Sequence, residues 1–135
     1  MKVKDQQKAS DLFSATLRLT ERVGLAGLKM SLIAKEAKLA SGTIYVYFSS
    51  KEALLNELYR KLKTDSVQRL KIDHTQTSFK IALKKVWQES LSYRNENQKE
   101  TIFMSQFRNS PFITESNKTI GNLYLTDLEN FLNKG

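Results

Sequence analysis

The chain has 135 residues, with one proline, five glycines and no cysteine, which allows one domain or two very small ones and excludes disulfides and thiolate metal sites. Its formal charge of +8 is uneven, with 12 basic and 6 acidic residues up to Lys63, and that imbalance points to a polyanionic partner. The opening MKVKDQQKAS lacks the apolar stretch of a leader, no apolar run is long enough to span a bilayer, and the abundance of Leu, Lys, Glu, Gln and Ala favours an all-α, cytoplasmic protein.

In chain order, residues 1–8 are polar and are expected to fray or form an arm. Ala9, Leu12, Phe13, Thr16, Leu17 and Val23 make a helical stripe that should end at Gly24. Leu25, Leu28 and Met30 are expected to plug the gap beneath the next two helices. The stretch MSLIAKEAKLASGTIYVYFSSKEALL, Met30 to Leu55, then packs two short helical runs and a helix start into one unit. Ile33, Ala34 and Ala37 form the apolar edge of the first run. Ile44 and Phe48 share a face of the second and should point inward. Its other face carries Ser41, Gly42, Thr43, Tyr45 and Val46, with no carboxylate. Such a face suits the major groove of DNA, where Val46 would meet a thymine methyl group. Ser49-Ser50-Lys51-Glu52 reads as a capping box with Ser49 as N-cap. Lys51 then falls in a helical first turn, where free N–H groups favour a phosphate over a lysine's own contribution to helix stability.

These residues carry a resemblance. GTIYVYFSSKEALL, with LTERVGLAGLKMSLIAKEAKLAS upstream, resembles the DNA-binding domain of TetR-family transcriptional repressors from about Ala9 to Leu62. Gly24, Ile33-Ala34, Ala37, Gly42-Thr43, Tyr45, Phe48, Lys51-Glu52 and Leu54 fall at the family's spacing. The chain departs from the pattern at Lys38, where the turn usually has Gly, at Ser41, where Lys is common, and at Leu28 and Lys29, where Thr or Ser often stands. The resemblance implies that Thr43, Tyr45, Tyr47 and Lys51 contact DNA and that Gly42 lets the backbone approach it; the tyrosines' competing role is to pack the small domain.

Beyond the motif, Lys51 to about Lys71 reads as one long helix with a Leu54, Leu55, Leu58, Leu62 seam. Asp73 to Thr77, including His74, reads as a loop. Helices follow from Ser78 to about Arg94, from an N-cap at Asn95 to the Asn109-Ser110-Pro111 break, and between Thr114 and Leu132, where Ile120, Leu123, Tyr124, Leu128 and Phe131 should face inward. The fold class is therefore all-α: a three-helix helix-turn-helix domain over residues 1–50, joined by a long helix to a helical ligand-binding and dimerisation domain over 51–135. By the resemblance, two further helices usually pair the subunits, so the second domain reads as incomplete at Gly135. Trp87, Tyr93, Phe103, Met104, Phe107, Phe112 and Tyr124 are the candidates for an effector cavity, with core packing as the competing role of each.

Enzyme signatures are missing. There is one histidine, no spaced set of metal ligands and no phosphate loop, and neither cofactor nor metal is expected. The reading is a ligand-responsive repressor that binds a palindromic operator on double-stranded DNA as a homodimer and is released by a small-molecule inducer. The rival is a helical interaction module whose ligand or protein partner is the point, with DNA binding weak or lost.

Overall fold

The computed structural model describes residues 3–69 and 78–134. The expected loop at 73–77 with His74, and the side chains of Leu123, Tyr124, Leu128 and Phe131, lie outside the described set. Among the described residues, seven α-helices follow in order: α1 (Val3–Val23), α2 (Met30–Glu36), α3 (Ile44–Tyr47), α4 (Lys51–Arg69), α5 (Phe79–Glu96), α6 (Gln98–Arg108) and α7 (Glu115–Lys134), with a short 3₁₀ turn at Leu25–Gly27. No strand occurs among the described residues.

Three boundaries differ from expectation. Helix α1 begins at Val3 rather than near Ala9; the intervening residues include no glycine or proline, and Gln7 Nε2 donates to Asp11 Oδ1 one turn on, at 2.9 Å. Helix α4 is capped by Ser50, not Ser49. Ser50 Oγ accepts from Ala53 N at 3.1 Å and its carbonyl from Leu54 N at 3.1 Å. Both candidates are serines, so composition did not separate them. The α5–α6 junction falls at Asn97, two residues past the expected Asn95; it ends one helix on Tyr93 and opens the next through Thr101, whose N–H and hydroxyl both bond its carbonyl, at 2.9 and 2.8 Å. Gly24 ends α1 as expected, at φ 73°, a left-handed conformation that costs a glycine little.

One core unites the amino-terminal helices with α6. Leu12, Ala15 and Leu19 of α1, Ile33 and Ala34 of α2, Ile44 of α3 and Leu54, Leu55 and Leu58 of α4 are buried in the same cluster as Phe103 and Phe107 of α6. The two phenylalanines stack at 5.5 Å between centroids, and Phe107 meets the ring of Tyr59 at 5.3 Å. The buried hydroxyls of Thr16 and Thr20 donate to the Leu12 and Thr16 carbonyls, each at 2.8 Å, so the apolar interior holds no unpaired hydroxyl there.

A polar clasp fixes the turn between α6 and α7 onto α4. Asn56 Nδ2 donates to the Phe112 carbonyl at 2.8 Å and Asn56 Oδ1 accepts from Thr114 N at 3.0 Å. Asn117, 3% exposed, donates from Nδ2 to both Asn56 O and Asn56 Oδ1 at 2.9 Å. Nearer the amino-terminal unit, Gln106 Oε1 of α6 accepts from Leu25 N at 2.9 Å.

Candidate nucleic-acid interface

Helix α2 is held to α1 by a pair of ion pairs. Arg18 Nε reaches Glu36 Oε2 at 2.9 Å and Arg22 Nη2 reaches Glu36 Oε1 at 2.8 Å. Arg18 and then Arg22, both donating to the carboxylate, hold the Glu36 carboxyl below its ordinary range. The one carboxylate of α2 is thus spent on α1.

Helix α2 ends in a Schellman motif. Leu39 N donates to Ala34 O at 2.8 Å and Lys38 N to Lys35 O at 3.0 Å. The residue that must take the left-handed conformation is Lys38, at φ 62°. A lysine there carries strain that glycine would not. Between α2 and the start of the next turn lies an open groove of about 780 Å³, lined by Lys29, Ser31, Leu32, Lys35, Lys38 and Ser41 among others. All three lysines are exposed and none makes an ion pair among the described residues. The sequence marks Lys29 and Lys38 only as departures from the family pattern and leaves Lys35 unremarked; the signal for the row was the i, i+3 spacing of Lys35 and Lys38, away from Ile33 and Ala34.

The α3 face divides as its period requires. Ile44 is fully buried, and Phe48 follows it inward against Phe13, with ring centroids 5.5 Å apart. Phe48 has already left the helix, at φ −138° and ψ 127°, so its burial comes from the chain turning in. Outward stand Tyr45 at 56% and Val46 at 79% exposure, with Ser41 and Gly42 exposed before them and Thr43 half-buried. A β-carbon added at Gly42 would meet nothing within 4 Å. Tyr47 is half-buried and packs against the core, the position at the core's edge that its place on the wheel predicts.

Lys51 is placed differently from the rest. Its Nζ donates to the Leu28 carbonyl at 3.3 Å and lies 5.2 Å from the centroid of the Phe112 ring. It bridges the helix-turn-helix to the α6–α7 turn, so the same ammonium that first-turn position offers to a phosphate is engaged within the fold.

The candidate effector residues are separated by the structure. Tyr93 and Met104 line a pocket of about 360 Å³ between α4, α5 and α6. Phe103 and Phe107 do not: both are fully buried in the core shared with α1 and α4, because the apolar stripe of α6 faces that way. Trp87 is 66% exposed on α5 and lines none of the pockets described. Phe112 packs at the edge of the core, over Lys51. Sequence reasoning missed Asn56 and Asn117. An asparagine inside a helix is a poor helix former, and two of them a clasp apart were the available signal.

A short helix presented outward after α2, free of carboxylates and flanked by lysines, defines a protein of the helix-turn-helix class. Residues 12–58 match the family model of the bacterial regulatory proteins of the tetR family. The chain is 33% identical over 115 residues to an HTH-type transcriptional regulator of Haemophilus influenzae, covering 84% of this chain and 62% of that protein. It is 44% identical over 63 residues to the HTH-type transcriptional regulator BetI of Vibrio vulnificus, covering 44% of this chain and 32% of that one. The fold superposes with a TM-score of 0.85 on the crystal structure of a TetR family transcription regulator from Marinobacter aquaeolei, over 100% of this chain and 71% of that one, at 21% identity. The chain belongs to the tetR family of transcriptional regulators. It spans less than two thirds of the length of either curated relative. Among the described residues, no helix is long and apolar enough to cross a membrane.

Proposed function

We propose that the chain is a ligand-responsive repressor that binds a palindromic operator as a homodimer and is released by a small-molecule inducer. The observation that carries the DNA reading is the outward face of Ser41, Gly42, Tyr45 and Val46, exposed to solvent with the half-buried Thr43 among them, and bordered by the unpaired Lys29, Lys35 and Lys38. Lysines of this kind release counterions from the phosphate backbone, and the helix face reads base edges. In this reading residues 1–50 form the DNA-binding domain and residues 51–135 the helical ligand-binding and dimerisation domain. Two recognition helices would enter successive major grooves ~34–36 Å apart. An effector between α4, α5 and α6 would favour a different spacing, and the Asn56–Asn117 clasp with the Lys51 bridge supports transmission from the second half to the first.

The test is selection of bound fragments from genomic DNA, followed by titration of the recovered site at several salt concentrations. A palindrome bound with a steep salt dependence is expected. Binding that shows no sequence preference would favour the second reading, a helical interaction module, for which the exposed Ile81, Leu83, Trp87 and Leu91 of α5 are the supporting observation.

A further inference from the structure

The pocket between α4, α5 and α6 is rimmed by Lys63, Arg94 and Arg108, and no carboxylate lines it. The ring of Tyr93 and the side chain of Met104 supply its less polar wall, and the rest is serine and threonine. Close by, the arrangement is the opposite: Arg69 is held by Glu89 at 3.0 Å and by Glu96 at 2.6 Å. Lys63, Arg94 and Arg108 make no ion pair among the described residues. Lys63 is half-buried, and burial, then the charge of Arg108, pushes its ammonium below the usual lysine range. Asp65 and Glu100 also act on Tyr93, but they line a separate cavity beside that residue, so two cations brought together where water is partly excluded have no carboxylate in the lining of their own pocket.

We propose that this pocket holds the anionic head of a small effector, a carboxylate or a phosphate, between Lys63 and Arg108, with the body of the molecule against Tyr93 and Met104. The assignment rests on reading the chain as an effector-controlled regulator and names the chemical class of that effector. A guanidinium takes a carboxylate or phosphate through two parallel hydrogen bonds, and a neighbouring ammonium adds a point charge. The geometry also gives the ligand a lever. Lys63 is on α4 and Arg108 closes α6, so an anion shared by both draws α6 toward α4, and α6 carries Phe103 and Phe107 into the core beneath the DNA-binding unit.

The experiment measures the thermal midpoint of the full chain with three probes at matched ionic strength: octanoate, octanol and inorganic phosphate. The same series is run on Lys63→Gln, Arg108→Gln and the charge-conserving Lys63→Arg. Octanoate or phosphate is expected to raise the midpoint, and which of the two does so separates a carboxylate from a phosphate head. Octanol should do little, Lys63→Arg should keep the response, and each glutamine variant should weaken probe binding at least tenfold. No shift with either anion, an equal shift with octanol, or a full response retained in both glutamine variants overturns the proposal. Operator binding is titrated separately with and without the active probe. An anion that binds through Lys63 and Arg108 but leaves operator affinity unchanged overturns its role as an effector, while a chain that selects no DNA sequence overturns the regulator reading itself.

Discussion

Val46, 79% exposed, has nothing to gain from the protein around it. A β-branched residue is a mediocre helix former, and in the proposed DNA-binding reading its exposed apolar surface would meet a thymine methyl in the groove. Val46→Ala should leave the thermal midpoint unchanged while relaxing selectivity at one base position by about 1 kcal/mol; a lowered midpoint with the same base preference would reject the readout. Gly42 allows a complementary test. Its surroundings would admit a methyl group, so Gly42→Ala should fold at least as well as the parent, and weakened operator binding would report backbone contact with DNA. Lys38 combines the two effects. Held at φ 62°, it should give way to glycine with a net gain of about 0.5–1 kcal/mol in stability, the relief of strain outweighing the looser unfolded chain. The same Lys38→Gly change should lower the salt slope of DNA binding by about one unit. Urea unfolding and a salt titration of one variant read both, and a slope that stays put would remove Lys38 from the interface.

At the scale of elements, α1 and α2 share apolar core contacts and, beside them, the Glu36 ion pairs, and this second part of the link depends on pH. The Glu36 carboxyl titrates below its ordinary value when folded. Its contribution is therefore present above the unfolded-state carboxylate range and fades as pH falls through the lower folded value. Glu36→Gln should lower the urea midpoint at neutral pH, and the gap from the parent should close as the solution is acidified past the carboxylate range; a gap independent of pH would show that Arg18 and Arg22 contribute nothing through charge. Much of this level was legible in advance. Period alone told Ile44 from Val46, and Gly24 and the Asn109-Ser110-Pro111 break mark ends that the structure keeps. What period cannot say is which neighbour a stripe meets. Phe103 and Phe107 read as either core or cavity residues, and they pack in the core shared with α1 and α4, away from the lining of the pocket between α4, α5 and α6. Lys51 likewise sits in the first turn, as its sequence context requires, yet its partner Leu28 O is 23 residues away, and local spacing carries no information about such a contact.

At the scale of the whole molecule, α6 has no core of its own apart from the one it completes. Phe103 and Phe107 are fully buried among residues from α1, α2, α3 and α4, and truncating a ring of this kind typically costs about 3–5 kcal/mol. Calorimetry should therefore record a single unfolding endotherm, and Phe107→Ala should lower the melting of both halves together; two separable transitions would contradict a shared core. The same packing bears on how regulators of this architecture can be recombined. A DNA-reading head grafted onto a foreign body at residue 50 would leave behind the two rings that complete the cluster of Leu12, Leu19 and Ile33. The transplant would recognise its operator only if the recipient's own α6 happened to fit. A lineage that shuffles heads and bodies must then hand on the amino-terminal helices and the α6 face as one inherited piece, although residues 70–97 separate α4 from α6 along the chain.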